Sequence, residues 1–121
     1  MTANQLRLAA LEAIYRAGKG HPGGVLSCMD IVHALYFGGV MSHRPAEPHW
    51  PERDRFLMSK GHCVVAQYVA LAACGYFPDA ELDRLNAGGI LGEHAHKGIP
   101  GIDANTGSLG HGLSIALRSP L

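Results

Sequence analysis

Five histidines lie in or beside glycine-rich stretches of this 121-residue chain. His21 stands in Gly20-His21-Pro22-Gly23-Gly24, and His62 closes Ser59-Lys60-Gly61-His62. His94 and His96 lie between Gly92 and Gly98, and His111 sits in Gly110-His111-Gly112. Imidazole donates a hydrogen bond to an anionic or carbonyl oxygen and exchanges a proton near neutral pH, so such side chains suit a polar, phosphorylated ligand. The stretch Asp103 to Ser114, DANTGSLGHGLS, adds glycines at Gly107, Gly110 and Gly112 ahead of an apolar run with the pattern of a helix start. Glycine allows a tight turn and close approach of backbone amides to a ligand, and a loop at a helix N-terminus suits an anion. Taken singly, each of these features is an ordinary turn or an exposed side chain. Their weight comes from occurring together.

Two other chemistries fit these residues less well. His94 and His96, two apart, share one face if the segment is extended, as in a zinc site, but no second ligand pair has a recognised spacing. A serine nucleophile needs a GxSxG elbow, which is absent, and Ser59 has no acid partner in view. Ser59-Lys60-Gly61-His62 reads either as a turn with its lysine in water or as an anion site.

Charge narrows the partners. Ten basic and ten acidic residues are scattered and cancel, which gives no footprint for nucleic acid or an anionic membrane, so affinity for phosphate must be local. No stretch is apolar and long enough to span a bilayer, and no leader pattern opens the chain; the expectation is a cytoplasmic protein. Cys28, Cys63 and Cys74 are odd in number with no CxxC spacing, and read as free thiols.

The elements that must position these groups follow from periodicity. Leu6, Ala9, Ala10, Ala13, Ile14 and Ala17 recur at helical spacing, with Thr2 and Gln5 as a capping box and Gly18 as a stop. Leu8, Leu11 and Tyr15 form a second apolar row that calls for further neighbours. GKGHPGG reads as a loop presenting His21, followed by a helix capped by Ser27, with Ile31, Ala34 and Leu35 inward and Gly38-Gly39 at its end. Pro45, Pro48 and Pro51 mark an irregular surface connection. Asp54 to Ser59 reads as a strand that turns at Lys60-Gly61 into a buried helix, Cys63 to Cys74, ended by Gly75. A short helix opens at Pro78-Asp79 and closes at Gly88-Gly89, and the chain is then loop as far as Asn105.

Three segments in order, YRAGKGHPGG, DRFLMSKGH and GEHAHKGIPGIDANTGSLGHGLS, make the chain resemble the N-terminal part of a transketolase, over nearly its whole length. Deoxyxylulose phosphate and dihydroxyacetone synthases share parts of the pattern. The resemblance implies an incomplete α/β cofactor-binding fold over residues 1–121, mainly helical with few short strands. It implies thiamine diphosphate as cofactor and transfer of two-carbon ketol units between sugar phosphates, as in the pentose phosphate pathway. By the same resemblance His21 assists proton transfer near the donor sugar, and His94 contacts the ketol end of the substrate. His62 hydrogen-bonds the diphosphate, while Gly107, Ser108 and Leu109 line the aminopyrimidine and thiazolium.

The departures set further expectations. Ala95 follows His94 where the family often has proline. The Gly-Asp-Gly segment and later Asn that hold Mg²⁺ or Ca²⁺ in the family do not occur in these residues, so no metal ligand is assigned here. The glutamate that activates the aminopyrimidine belongs to another domain. The ending Leu117-Arg118-Ser119-Pro120-Leu121 also departs from the family's long helix. The expectation is a segment inactive alone and completed by a second polypeptide or subunit, with a non-catalytic interaction module of the same fold as the alternative.

Overall fold

In a computed structural model, which describes residues 1–118, the chain folds around one buried helix. Helix α1, Ala3–Ala17, opens as its sequence requires: Thr2 Oγ1 accepts from the Gln5 amide at 3.1 Å, and Gln5 Oε1 accepts from the Thr2 amide at 2.8 Å. Gly18 ends it in the left-handed region at φ 74°, its amide returning to Ile14 O and Tyr15 O. Leu6, Ala10 and Ala13 face the core, and the two alanines let α1 come close to its neighbours. The second apolar row points away from this chain, with Tyr15 88% exposed.

The GHPGG segment is not wholly a loop. Pro22 starts helix α2, Pro22–Ser27, at a position where its missing N–H and fixed φ are tolerated, and of GHPGG only Gly20 and His21 stay outside. A break at Cys28 (φ −101°, ψ 1°) separates α2 from helix α3, Met29–Phe37. Ser27 does not cap α3; its hydroxyl donates to Gly24 O at 3.0 Å. The buried face of α3 is Met29, Val32 and Tyr36, whereas Ile31 is 63% exposed, Ala34 is exposed and Leu35 half-buried. Both phases of this helix are apolar, so the pattern fitted either, and docking chose the face that places Tyr36 Oη against Gln67.

Helix α4, Val65–Cys74, is the centre, packed against by α1, α2 and α3, with every residue from Val65 to Ala72 buried. Burying a side chain such as Leu71 or Val69 contributes about 1.5–3 kcal/mol, and this helix gathers more buried residues than any other element. The polar exception is paired: Gln67 Nε2 donates to Tyr36 Oη at 2.9 Å. Gly75 (φ 94°) ends the helix, and a 3₁₀ segment, Asp79–Arg84, follows where a short helix was expected.

The expected strand, Asp54 to Ser59, is absent as a strand: among the described residues none is in a ladder. The segment is tied to its surroundings at Asp54, whose amide donates to Ser42 O and whose carboxylate accepts from the Ser42 amide, both at 2.7 Å. A strand is a property of a pair, and an apolar run without a neighbouring strand has no ladder to join. The last element, helix α5, covers His111–Arg118; the remainder of the expected atypical ending, Ser119 to Leu121, lies outside the described residues.

Candidate functional site

Three glycines lock the three motif segments together. A Cβ on Gly24 would overlap Cys63 Sγ, so α2 can lie on the turn after Lys60 only if position 24 has no side chain. A Cβ on Gly61 would stand 2.6 Å from Thr106 Oγ1 and 2.7 Å from the Thr106 carbonyl carbon. A Cβ on Gly112 would stand 2.5 Å from Ser59 Cβ, and the Gly112 amide donates to Ser59 Oγ at 3.1 Å. Close backbone approach, rather than flexibility, is what these positions require.

The same packing aligns the histidines. His62, half-buried in the 3₁₀ turn Gly61–Cys63, stands between the other two: its ring centroid is 5.3 Å from that of His21 and 4.6 Å from that of His94, both edge-on. Gly107 adjoins the row, since a Cβ there would lie 3.6 Å from His94 Cδ2. Ser108 and Leu109 continue from it and are exposed. Three imidazoles thus share one side with a glycine run, a donor set of ring nitrogens and amides without a carboxylate, which fits an anionic diphosphate better than a bare cation.

Neighbouring groups hold this row in place. Tyr68 Oη shares its proton between Gly92 O at 2.9 Å and His94 O at 3.1 Å, and burial pushes its pKa up to about 12. Ala95, which stands where the family often has proline, is buried, and its carbonyl accepts from the Thr106 amide at 3.3 Å. Thr106 Oγ1 itself is buried without a partner. Lys60 does not face water: its Nζ donates to Gly24 O at 2.8 Å and Ser27 Oγ at 3.3 Å, tying α2 to the turn. Burial raises the Cys28 thiol's pKa, against the pull of nearby Lys60.

The other histidines are elsewhere. His96 is exposed and turns back on its own loop, its Nδ1 accepting from the Gly98 amide at 3.0 Å, and His111 is exposed at the start of α5. Among the described residues no group of three or more His, Cys, Asp or Glu is placed to hold a metal ion. Sequence reasoning passed over Tyr68 and the Arg53–Asp103 pair; the signal for the latter was an aspartate at the head of the glycine loop.

The fold that carries this row is that of a class, the thiamine-diphosphate-binding domain of transketolases. The family model for "Transketolase, thiamine diphosphate binding domain" matches residues 1–119, and the chain belongs to that family. Among curated relatives it is 48% identical over 115 residues to one of the subunits of the apulose-4-phosphate transketolase of Phocaeicola vulgatus, covering 94% of this chain and 40% of that one. It is 49% identical over 121 residues to 6-deoxy-6-sulfo-D-fructose transketolase subunit SqwG of a Clostridium species, covering 98% of this chain and 44% of the relative. The chain thus spans less than half the length of these two. Transketolase from Leishmania mexicana superposes with a TM-score of 0.88 at 31% identity, over 95% of this chain and 18% of that structure. The Campylobacter jejuni enzyme gives 0.88 at 32%, over the same shares. No helix among the described residues is long and apolar enough to cross a membrane.

Proposed function

We propose that this chain supplies one wall of the active site of a transketolase that moves two-carbon ketol units between sugar phosphates and is completed by a second polypeptide or subunit. The observation that carries the reading is the row His21, His62, His94 beside Gly107. The relatives named as transketolase subunits support the division between polypeptides. Thiamine diphosphate, when bound, supplies the carbon–carbon bond chemistry.

This chain's residues bind and orient. His62, in the middle of the row, donates to a diphosphate oxygen, and Gly107, Ser108 and Leu109 offer backbone and apolar contacts to the cofactor rings. His94 hydrogen-bonds the ketol end of the substrate, and His21, the most exposed of the three, holds or moves a proton at the donor sugar. Mg²⁺ or Ca²⁺ belongs in this scheme to residues outside these 121, because the row lacks carboxylates and a divalent ion takes oxygen ligands. The free thiols fit a cytoplasmic setting, and the pentose phosphate pathway is the metabolic place proposed.

The test is calorimetry with thiamine diphosphate and Mg²⁺, together with a ketol-transfer assay, on the chain purified with its complementing polypeptide. His62→Ala should weaken cofactor binding by about 1.5–3 kcal/mol, the worth of a hydrogen bond to a charged group. His94→Ala should spare binding and slow turnover. Equal loss of affinity in both variants refutes this division of roles, and micromolar binding with turnover by the 121-residue chain alone refutes the need for a partner.

A further inference from the structure

The glycine loop has little regular structure to hold it, yet its amides must keep one arrangement if they are to face a ligand. Its two ends are fixed on one short stretch of chain. At the head, Asp103 Oδ1 accepts from Arg53 Nη2 at 2.7 Å and Nε at 3.2 Å, with Arg55 Nη1 4.0 Å away. At the far end, the Gly112 amide donates to Ser59 Oγ at 3.1 Å. Arg53 and Ser59 bound the segment that leads directly into His62, and their six residue steps reach at most roughly 20 Å. The loop is therefore strung along this segment like a strap fastened at both ends, with Gly107 to Leu109 between the fastenings.

The two fastenings differ in strength. Ser59 Oγ to an amide is a neutral hydrogen bond, whereas the Arg53–Asp103 pair is charge-assisted and mostly out of solvent, with side chains 12% and 13% exposed. The guanidinium is itself oriented, since Nη1 donates to Trp50 O at 2.9 Å, so it meets the carboxylate already positioned. The pair is 50 residues apart in sequence and joins the proline-rich connection to the loop head.

We propose that Arg53 is a positioning residue for the ligand-binding glycine loop, acting through Asp103 to set the loop's span against the segment that ends in His62. The inference rests on the cofactor reading above for what the loop binds, but its mechanical content stands apart from that reading. Two amides report it directly, Thr106 bonded to Ala95 O and Gly112 bonded to Ser59 Oγ.

The experiment is hydrogen exchange of the full chain, in complex with its complementing polypeptide, followed by thiamine-diphosphate titration of the same samples. In Arg53→Met and Asp103→Asn the Thr106 and Gly112 amides should exchange at least about tenfold faster, while α4 amides, which report global opening, keep their rate. Arg53→Lys should be intermediate, because it keeps the charge and one bond but not the fork. Arg16→Met, which breaks the exposed Arg16–Asp83 pair, should change neither amide. Cofactor affinity should fall in the order of loop exchange, with kcat at saturating cofactor near wild type. Unchanged loop exchange in a variant whose α4 amides remain protected overturns the proposal, as does acceleration shared equally by α4. Faster loop exchange with unchanged affinity also overturns it as a statement about ligand positioning. Absence of cofactor binding in the wild-type complex would instead remove the functional reading, while the exchange data still decide whether Arg53 holds the loop.

Discussion

Gly23 and Gly24 are neighbours of the same type in the same six-residue helix, and the structure assigns them opposite responses to alanine. A Cβ on Gly23 meets nothing within 4 Å, whereas one on Gly24 overlaps Cys63 Sγ, with Cys63 Cβ at an ordinary 3.8 Å. Non-bonded heavy atoms prefer about 3.5–4.0 Å, so the overlap at Gly24 is on the order of 1 Å, and Cys63 is only 6% exposed. Overpacking of this kind costs about 1–3 kcal/mol. Alanine in a helix returns at most about 1 kcal/mol relative to glycine, and less in the first turn. Gly24→Ala should therefore destabilise by about 1–2 kcal/mol. In a domain of this size that is a fall in Tm of about 4–8 °C. Gly23→Ala should be neutral or stabilise by a few tenths of a kcal/mol. Cys63→Ala removes the clashing sulfur at its own cost of about 1 kcal/mol. In the double variant the two changes should be non-additive by at least about 1 kcal/mol in the favourable direction. Urea and thermal unfolding of the four proteins measure the cycle. Equal stability of Gly23→Ala and Gly24→Ala, or strict additivity with Cys63→Ala, would refute the close-approach argument.

Other outcomes follow from the same contacts. Tyr68→Phe should cost about 1–2 kcal/mol by leaving Gly92 O and His94 O without their donor, and should broaden the His94 ring resonances; a stability equal to wild type would contradict the pinning role. Tyr68 and Tyr76 each have a pKa raised from 10.0 to about 12 by burial, so the stability they contribute is complete below pH 10 and lost as pH rises towards 12. Unfolding followed against pH, with tyrosinate absorbance in parallel, should show this alkaline loss; tyrosines that titrate at the ordinary value in the folded protein would refute it.

Much of the chain was legible because the forces involved are local. The capping box at Thr2 and Gln5, the left-handed stops at Gly18 and Gly75 and the apolar density of α4 each depend on residues within a turn of one another. The meeting of His21, His62 and His94 was also anticipated, through three motifs whose resemblance to a family already encodes a fold. What sequence could not decide was everything that depends on a docking partner. Ile31, Ala34 and Leu35 are as apolar a face as Met29, Val32 and Tyr36, and docking against α4, where Tyr36 Oη meets Gln67, selects between them. Asp54 to Ser59 has strand composition, but a ladder needs a second strand beside it, and the described residues contain none. Lys60 turned inward because Gly24 O and Ser27 Oγ lie within its reach, and Asp103 became an anchor because Arg53, 50 residues earlier, faces it. The sequence by itself determined which residues start, stop and fill the helices, and which chemistry the histidines and glycines can offer. Tertiary structure alone decided which face is inside, which glycines are obligatory and what holds the loop, because those depend on distances between segments that no local preference contains.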